Sequence, residues 1–478
     1  MVDDILFHGF LFLGIFLWLS VIGSWLSRRS QPATGQTTPA PATPSPKCSK
    51  DPKPFPGLTA KPRCAVCEQT PEHGTQAPAS PPPLLPSTHG RPRAVDTLHH
   101  FCPNPRCRYY GWVGHGNLRA NGHPSGGPWR QLCCLQGQGY FLETHGTPLH
   151  DKRVPAELMV RVVAALAEGL GIRAVARVFE VDPNTVLQWL VEAADHLRAF
   201  SHALLQDVQV CQVQLDELFA ILSAVKAGEL GEDEAIERLS HASHWVWVAI
   251  DPVSKLLLSI DVGERTLAMA QHLVHQVGQV LAPGCLPLFL TDGLKEYATA
   301  LLTHFGHWVQ PQRRQAPGPV PKPRWMPLPG LLYAQVVKQY RRRRLVRVSH
   351  RVVFGTPAAV KQVLAVQGWH INTAFIERLN LTLRQHVAAI GRRVITLCKR
   401  EEGLRQQLAL YQTYHNFCLA HASLRQPLPQ PFPTHGTGSA KQWRPWTLAM
   451  AAGLTDHIWS LREVLMYRVP PWPQPQGL

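Results

Sequence analysis

The spacing of apolar residues divides the chain into segments of different character. Ile5 to Leu26 is apolar almost throughout, broken by His8, Ser20, Ser24 and a few glycines. At about 1.5 Å per residue such a run just spans a bilayer core of roughly 30 Å. Asp3 and Asp4 precede it and Arg28-Arg29 follow, so a spanning helix leaves the amino terminus outside and the rest in the cytoplasm. No basic residues lead it and its apolar core is long for a cleaved signal. It reads as either a membrane anchor (residues 1–30) or a passive hydrophobic leader. Residues 31–97 follow as a linker. Sixteen of the 43 prolines lie between Gln31 and Pro92, and such a stretch cannot bury enough apolar surface to fold.

Helical spacing then appears between Pro155 and Phe200. Leu158, Val162, Ala165 and Leu166 share one face, and Gly169 and Gly171 end that helix. Ile172–Phe179 follows, and Asp182-Pro183 reads as an N-cap with proline at the first helical position of a third short helix. Asn184, Thr185, Gln188 and Trp189 stand near its start. Two short helices joined by a brief turn, with polar side chains opening the second, predict a helix-turn-helix (155–200) that reads a DNA major groove.

Beyond Val208 strands and helices alternate. The predicted strands are Val208–Leu215, Trp245–Ile250, Leu256–Val262 and Leu286–Leu290. Helices are expected over Thr266–Leu281, Leu294–Phe305, Asn372–His386 and Glu402–Phe417, with a last helical pair near Leu454–Met466. Strands first, then strands mixed with helices, imply an α/β layer fold that opens on a hairpin.

Charge narrows the partners. The 478 residues carry 48 Lys and Arg against 32 acids, a net charge of +16, which favours nucleic acid or an anionic membrane surface over a small neutral substrate. No Asp or Glu occurs between Glu296 and Glu377, while that stretch holds twelve Lys or Arg, among them Arg313-Arg314, Lys338 and Arg341, Arg342, Arg343 and Arg344. A basic run without acids is expected to follow a phosphate backbone. No phosphate-cradling glycine loop and no ordered Ser/His/Asp set is visible.

Seven of the eleven cysteines fall between Cys48 and Cys134. A secreted disulfide scaffold is shorter and denser in cysteine, so metal ligation in a reducing compartment is the better reading. Cys102-Pro-Asn-Pro-Arg-Cys107 forms a knuckle, and Cys133-Cys134 follows some twenty-five residues on. A zinc-ribbon-like module (98–150) with structural Zn²⁺ needs four such ligands. Cys102, Cys107 and Cys134 supply three. Cys133, one of His115, His123 or His145, or the Cys64–Cys67 pair are the candidates for completing it, whereas Gly137 offers nothing.

Three acids stand out. Asp216 and Asp292 are each expected at or just beyond a strand's end, where ligand sites form. Glu377 shares a helical face with Thr373, Asn380 and Arg384, while Ile376, Leu379 and Leu383 form the adjoining packing face. Three convergent carboxylates suit hard divalent cations, and two such ions can activate a hydroxyl and stabilise a departing 3′ oxygen. Glu217, Asp251 and Asp261 are rival acids in similar positions.

Together these segments resemble DDE transposases of bacterial insertion sequences. The residues that carry the resemblance are Phe101-Cys-Pro-Asn-Pro-Arg-Cys107, Gln214-Leu-Asp-Glu217, Thr291-Asp-Gly293 with Tyr297, and Asn372-Thr-Ala-Phe-Ile-Glu-Arg-Leu-Asn380. Tyr414-His-Asn-Phe-Cys418 with His421 and Leu424-Arg425, and Ala449-Met-Ala-Ala-Gly-Leu454, are similar to such enzymes' endings. The resemblance implies a ribonuclease-H-like mixed sheet flanked by helices (205–425), in which Asp216, Asp292 and Glu377 bind two Mg²⁺, and a tail with short helices (426–478). It further implies a cytoplasmic, nucleoid-associated bacterial enzyme, working as a homo-oligomer on double-stranded insertion-sequence ends and target DNA. Phe219 stands where a Trp is common, and Val309–Pro329 reads as a proline-rich insertion. A catalytically inactive, membrane-tethered DNA-binding protein and a metal-dependent nuclease without strand transfer are the alternatives.

Overall fold

The structure is a computed structural model that describes residues 100–222, 243–313, 320–342, 344–391, 398–433 and 438–471. All lie in one unit of the chain, Leu58–Leu478. The hydrophobic run 5–26, the linker, Cys64, Cys67, Arg314 and Arg343 fall outside the described residues. Among those described, no helix is long and apolar enough to cross a membrane.

A small three-stranded antiparallel sheet comes first: β1 (Leu118–Ala120), β2 (Gln131–Cys134) and β3 (Tyr140–Leu142). Its core is Cys102, Cys107, Tyr109, Leu118, Leu132, Cys134 and Phe141. Three helices follow: α1 (Ala156–Ala167), α2 (Ile172–Phe179) and α3 (Pro183–Leu204). As expected, Asp182 caps α3, its side chain accepting from the Asn184 N–H at 2.8 Å. Two expectations change here. The third helix is 22 residues long rather than short, because Leu190, Ala193, Ala194, Leu197 and Phe200 keep a buried stripe going. Trp189 belongs to that stripe, not to the polar surface.

The main sheet has six strands in the order β11-β10-β7-β4-β5-β6. These are β4 (Gln212–Ile221), β5 (Ser243–Ile250), β6 (Leu257–Gly263), β7 (Leu288–Thr291), β10 (Leu332–Arg341) and β11 (Arg344–Phe354). Strands β4, β5 and β6 form an antiparallel meander, β7 and β10 join parallel to β4, and β11 returns antiparallel at the edge. Helices α4 (Leu267–Val280) and α5 (Glu296–His304) follow β6 and β7 respectively. A separate two-stranded ribbon pairs β8 (Gly306–Val309), at the start of the proline-rich insertion, with β9 (Arg324–Pro327), near its end. On the other side lie α6 (Pro357–Ala365), α7 (Ala374–His386) and α8 (Glu401–Thr413). The chain ends in the ribbon β12 (Gln426–Phe432) and β13 (Lys441–Arg444), then α9 (Leu448–Ala451) and α10 (Leu461–Met466). The described chain is thus mixed α/β, with a six-stranded mixed sheet flanked by helices.

Each sheet face has its own core, as alternation along a strand requires. Val213 and Leu215 of β4 pack with α4 and α5, while Leu218 and Ala220 pack with α7 and α8. The helical head joins the first of these cores. Phe200 is fully buried, with its ring edge-on to Phe417, Trp459 and Tyr467 at 5.1–5.2 Å. Gly169 ends α1 at φ +92°, and a side chain there would meet the Gln385 carbonyl of α7 at 2.7 Å, so only glycine allows this approach.

Phe200→Ala empties the point where α3, the segment after α8 and the C-terminal tail meet. It should cost about 3–5 kcal/mol of stability, read as a lower denaturation midpoint in urea. An unchanged midpoint would show that the tail does not pack there.

Candidate functional site

Strand register sets the site. The parallel pairing of β4 with β7 runs Gln212 with Leu288, Val213 with Phe289 and Gln214 with Leu290. Carried on by two residues, the same register puts Asp216 level with Asp292. Asp216 was expected at a strand's end, yet it lies in the middle of β4. The strand runs on because Leu218 and Ala220 continue the buried alternation and pair with β5. With respect to β7, however, Asp216 does lie past the last pair. Asp292 immediately follows Thr291, the last residue of β7.

Alternation puts Asp216, Asp292 and Lys338 on one side of the sheet. Asp216 shares the face of Leu218 and Ala220, Asp292 continues that of Leu288 and Leu290, and Lys338 that of Leu332 and Ala334. Helix α7 crosses this face. Gln214 pins its start: its Oε1 accepts from the Ile376 N–H at 3.1 Å and its Nε2 donates to the Asn372 carbonyl at 3.0 Å. From α7, Asn380 Nδ2 donates to Asp216 Oδ2 at 2.8 Å. Glu377 accepts from the Lys338 ammonium and, at 2.8 Å, from the Thr373 hydroxyl. Among the described residues, only the thiols of Cys102, Cys107 and Cys134 bring three ligand atoms within 4.8 Å of one another; the acids converge less closely.

The electrostatics follow from this crowding. Burial first, then the charges of Asp292, Glu217 and Glu377, push the Asp216 carboxyl up to about 7. Burial and Asp292 likewise raise Glu217, on the opposite face of β4. Glu217 is held there by Arg265, whose Nε donates at 2.9 Å, and by the Tyr297 hydroxyl at 3.1 Å. Although burial opposes it, the bonds from Lys338 and Thr373 hold Glu377 below the usual carboxylate range.

The rival acids have structural duties. Asp251 is buried and caps a turn, accepting from the Val253 and Ser254 N–H groups at 3.0 and 2.9 Å. Asp261 is tied to Arg405 and His272 at 2.9 and 3.0 Å. Arg265 had no signal in the sequence, since its partner is 48 residues away.

The basic residues divide. Lys338 belongs to the acid site. Arg341 and Arg344 face each other across the free end of the β10–β11 ribbon, beside Gln339 and Arg347, and Arg341, Arg342 and Arg344 are exposed. Asn184 and Gln188 are exposed on α3, Gln188 bonded to Glu192 at 3.0 Å, and Thr185 is half-buried. Arg384 is half-buried near the end of α7. In the first module, Cys133 lies apart from the clustered thiols, and its Sγ donates to the Cys134 carbonyl.

No family model matches the chain, and no curated protein does. Among solved structures it is similar to the Mos1 transposase paired-end complex with the left transposon end, at 14% identity and TM-score 0.14, over 32% of this chain and 59% of that one. The Mos1 strand transfer complex (13%, TM-score 0.14, 32% and 57%) and a pre-cleavage Mos1 transpososome (13%, TM-score 0.13, 32% and 59%) are also similar. The chain therefore spans less than two thirds of the length of each.

A carboxyl raised in the folded state stabilises the fold at low pH, and that contribution fades as pH rises from the ordinary value of 3.8 to about 7. Asp216→Asn removes the buried charge. In EDTA its melting temperature should exceed that of the parent by roughly 3 °C at pH 8 and match it near pH 4. An equal shift at both pH values would mean that Asp216 does not bear this charge.

Proposed function

We propose that the chain is a DDE-type transposase that cuts DNA at the ends of a mobile element and joins the freed 3′ end to a target. The observation that carries this reading is the level placement of Asp216 and Asp292 beneath the helix bearing Glu377. The strand order, an antiparallel meander joined by two parallel strands, supports a ribonuclease-H-like core over 205–425. A zinc-ribbon-like module (98–150), a helix-turn-helix (155–200) and a tail (426–478) complete the proposed division. The proposed partners are element ends and target DNA, bound by a homo-oligomer.

The donor set fits hard divalent cations. Three carboxylates, Asp216, Asp292 and Glu377, stand on one face of the sheet, and Asn380 Oδ1, buried beside Asp216, has no hydrogen-bond partner among the described residues. Asp216, Asp292 and Glu377 would hold two Mg²⁺. When bound, these supply an activated hydroxyl nucleophile and charge stabilisation at the departing 3′ oxygen. Asn380 orients Asp216 through its amide, and Gln214 fixes the start of α7 and with it the reach of Glu377. Arg265 and Tyr297 confine Glu217 to the opposite face, so that it does not compete with Asp216. Arg341, Arg342 and Arg344 would lie along the phosphate backbone, and Asn184, Thr185 and Gln188 would read bases.

One observation favours a second reading, a DNA-binding protein without catalysis: the Lys338 ammonium occupies Glu377. Strand cleavage and joining on labelled duplex carrying the DNA that flanks the gene, in Mg²⁺ or EDTA, separates the two. Metal-dependent nicked and joined products should fall by on the order of 10²-fold or more in Asp292→Asn and Glu377→Gln, with DNA binding kept. Tight binding without metal-dependent products in the parent protein would establish the second reading. Nicking without joining would mark a nuclease. Replacing Arg341 and Arg344 by Ala should weaken DNA binding across all sequences and flatten its salt dependence by about two phosphate contacts. An unchanged salt slope would remove the ribbon from the interface.

A further inference from the structure

Three thiols stand together in the small first sheet. Cys102, Cys107 and Cys134 are buried and unbridged, with their sulfurs within 4.8 Å of one another and Cys107 Sγ 3.8 Å from Cys134 Sγ. A tetrahedral thiolate site with metal–sulfur bonds of about 2.3 Å has edges of roughly 3.8 Å. This edge therefore has the length that such an ion needs.

Among the described residues, no fourth His, Cys, Asp or Glu joins the three thiols. Cys134-Leu-Gln-Gly137 makes the turn of a second knuckle but closes it with glycine. The Gly137 N–H donates to Cys134 Sγ at 3.4 Å, as does Asn117 Nδ2 at 3.5 Å. A Cβ built at position 137 would lie 3.3 Å from the sulfurs of both Cys102 and Cys107. The place where a fourth ligand's side chain would begin thus carries only hydrogen.

A buried cation sits beside the cluster. Arg468, two residues beyond α10, is 3% exposed. It donates to the Phe101 carbonyl at 2.7 Å and lies over the rings of Phe101 and Phe141 at 4.2 and 5.1 Å. Among the described residues its Nε has no hydrogen-bond partner and no carboxylate pairs with it, and the carbonyl it does bind directly precedes Cys102. A buried guanidinium without an anion is costly. Three thiolates around a doubly charged ion carry one net negative charge, which is the missing counter-charge.

We propose that Cys102, Cys107 and Cys134 form a three-thiolate zinc site whose fourth position, on the Gly137 side, is open to a small exogenous ligand. Arg468 is its counter-charge and fastens the C-terminal segment to the metal module. This does not depend on the transposase reading.

The test is titration of the metal-free full chain with Co²⁺ and then Zn²⁺, followed by thiolate-to-cobalt charge transfer, which the carboxylate site cannot produce, and by the intense d–d bands of tetrahedral Co²⁺, where oxygen-ligated Co²⁺ gives only weak ones. One ion per chain should bind with a three-thiolate spectrum, and added 2-mercaptoethanol should change it. Gly137→Cys should give a four-thiolate spectrum that no longer responds. Arg468→Met should weaken Zn²⁺ binding by about 10–100-fold, and Arg468→Lys, which keeps the charge, should recover part of it. Substoichiometric binding would overturn the site. A parent spectrum that is already four-thiolate and indifferent to added thiol would overturn the open position. Equal affinity in Arg468→Met would overturn the counter-charge.

Discussion

Two aspartates held level on neighbouring parallel strands impose the constraint on which the acid site depends. Neither can move away, because each is fixed by main-chain pairing whose register is set by buried residues two positions earlier. Burial first, and then their repulsion, raises the Asp216 carboxyl, and the neighbours answer it in different ways. Asn380 gives Asp216 a donor, Lys338 neutralises Glu377, and Arg265 with Tyr297 neutralises Glu217 on the far face. The structural acids Asp261 and Asp251 are instead each fully engaged, Asp261 by Arg405 and His272 and Asp251 by the turn it caps. Here the charge left over after pairing is concentrated on Asp216 and Asp292, on the face beneath α7. That residual negative charge is what a bound cation would relieve.

The helical head is not an independent appendage to this core. Gly169 lets the end of α1 touch the end of α7, and Glu168 accepts from the Tyr414 hydroxyl at 2.6 Å. Phe200 joins α3 to the tail. Through Arg468 the tail also reaches the small sheet. One C-terminal segment therefore contacts both amino-terminal modules, so their positions relative to the acid site rest on packing as well as on chain connection.

How much of this could be read in advance depended on range. Local signals carried well: Asp182-Pro183 marked the start of α3, Thr266 that of α4, and alternating apolar residues found β5 and β6 to within two residues. Glu377 and Asn380 were recognised as neighbours because helical spacing alone relates them. What could not be read was set by partners distant in the chain. Arg265 meets Glu217, Arg468 meets the cysteine module, and Lys338 meets Glu377, and none of these pairs has a local pattern. The end of β4 was misplaced for a related reason. Its continuation past Asp216 depends on pairing with β5, and a charged residue inside a strand looks like a terminus when seen alone.

The same distinction reinterprets the basic stretch. Along the chain, Lys338 and Arg341–344 read as one run of positive charge, but strand alternation separates them. Lys338 points to the acid face, where its charge is already matched. Gln339 and Arg341 point to the other, across from Arg347 and Arg344. Like charges directly opposite one another destabilise a ribbon, and among the described residues no acid pairs with Arg341 or Arg344 at the free end of β10–β11. A protein keeps such an arrangement at some cost to its own stability. A polyanion lying against that face would screen the repulsion.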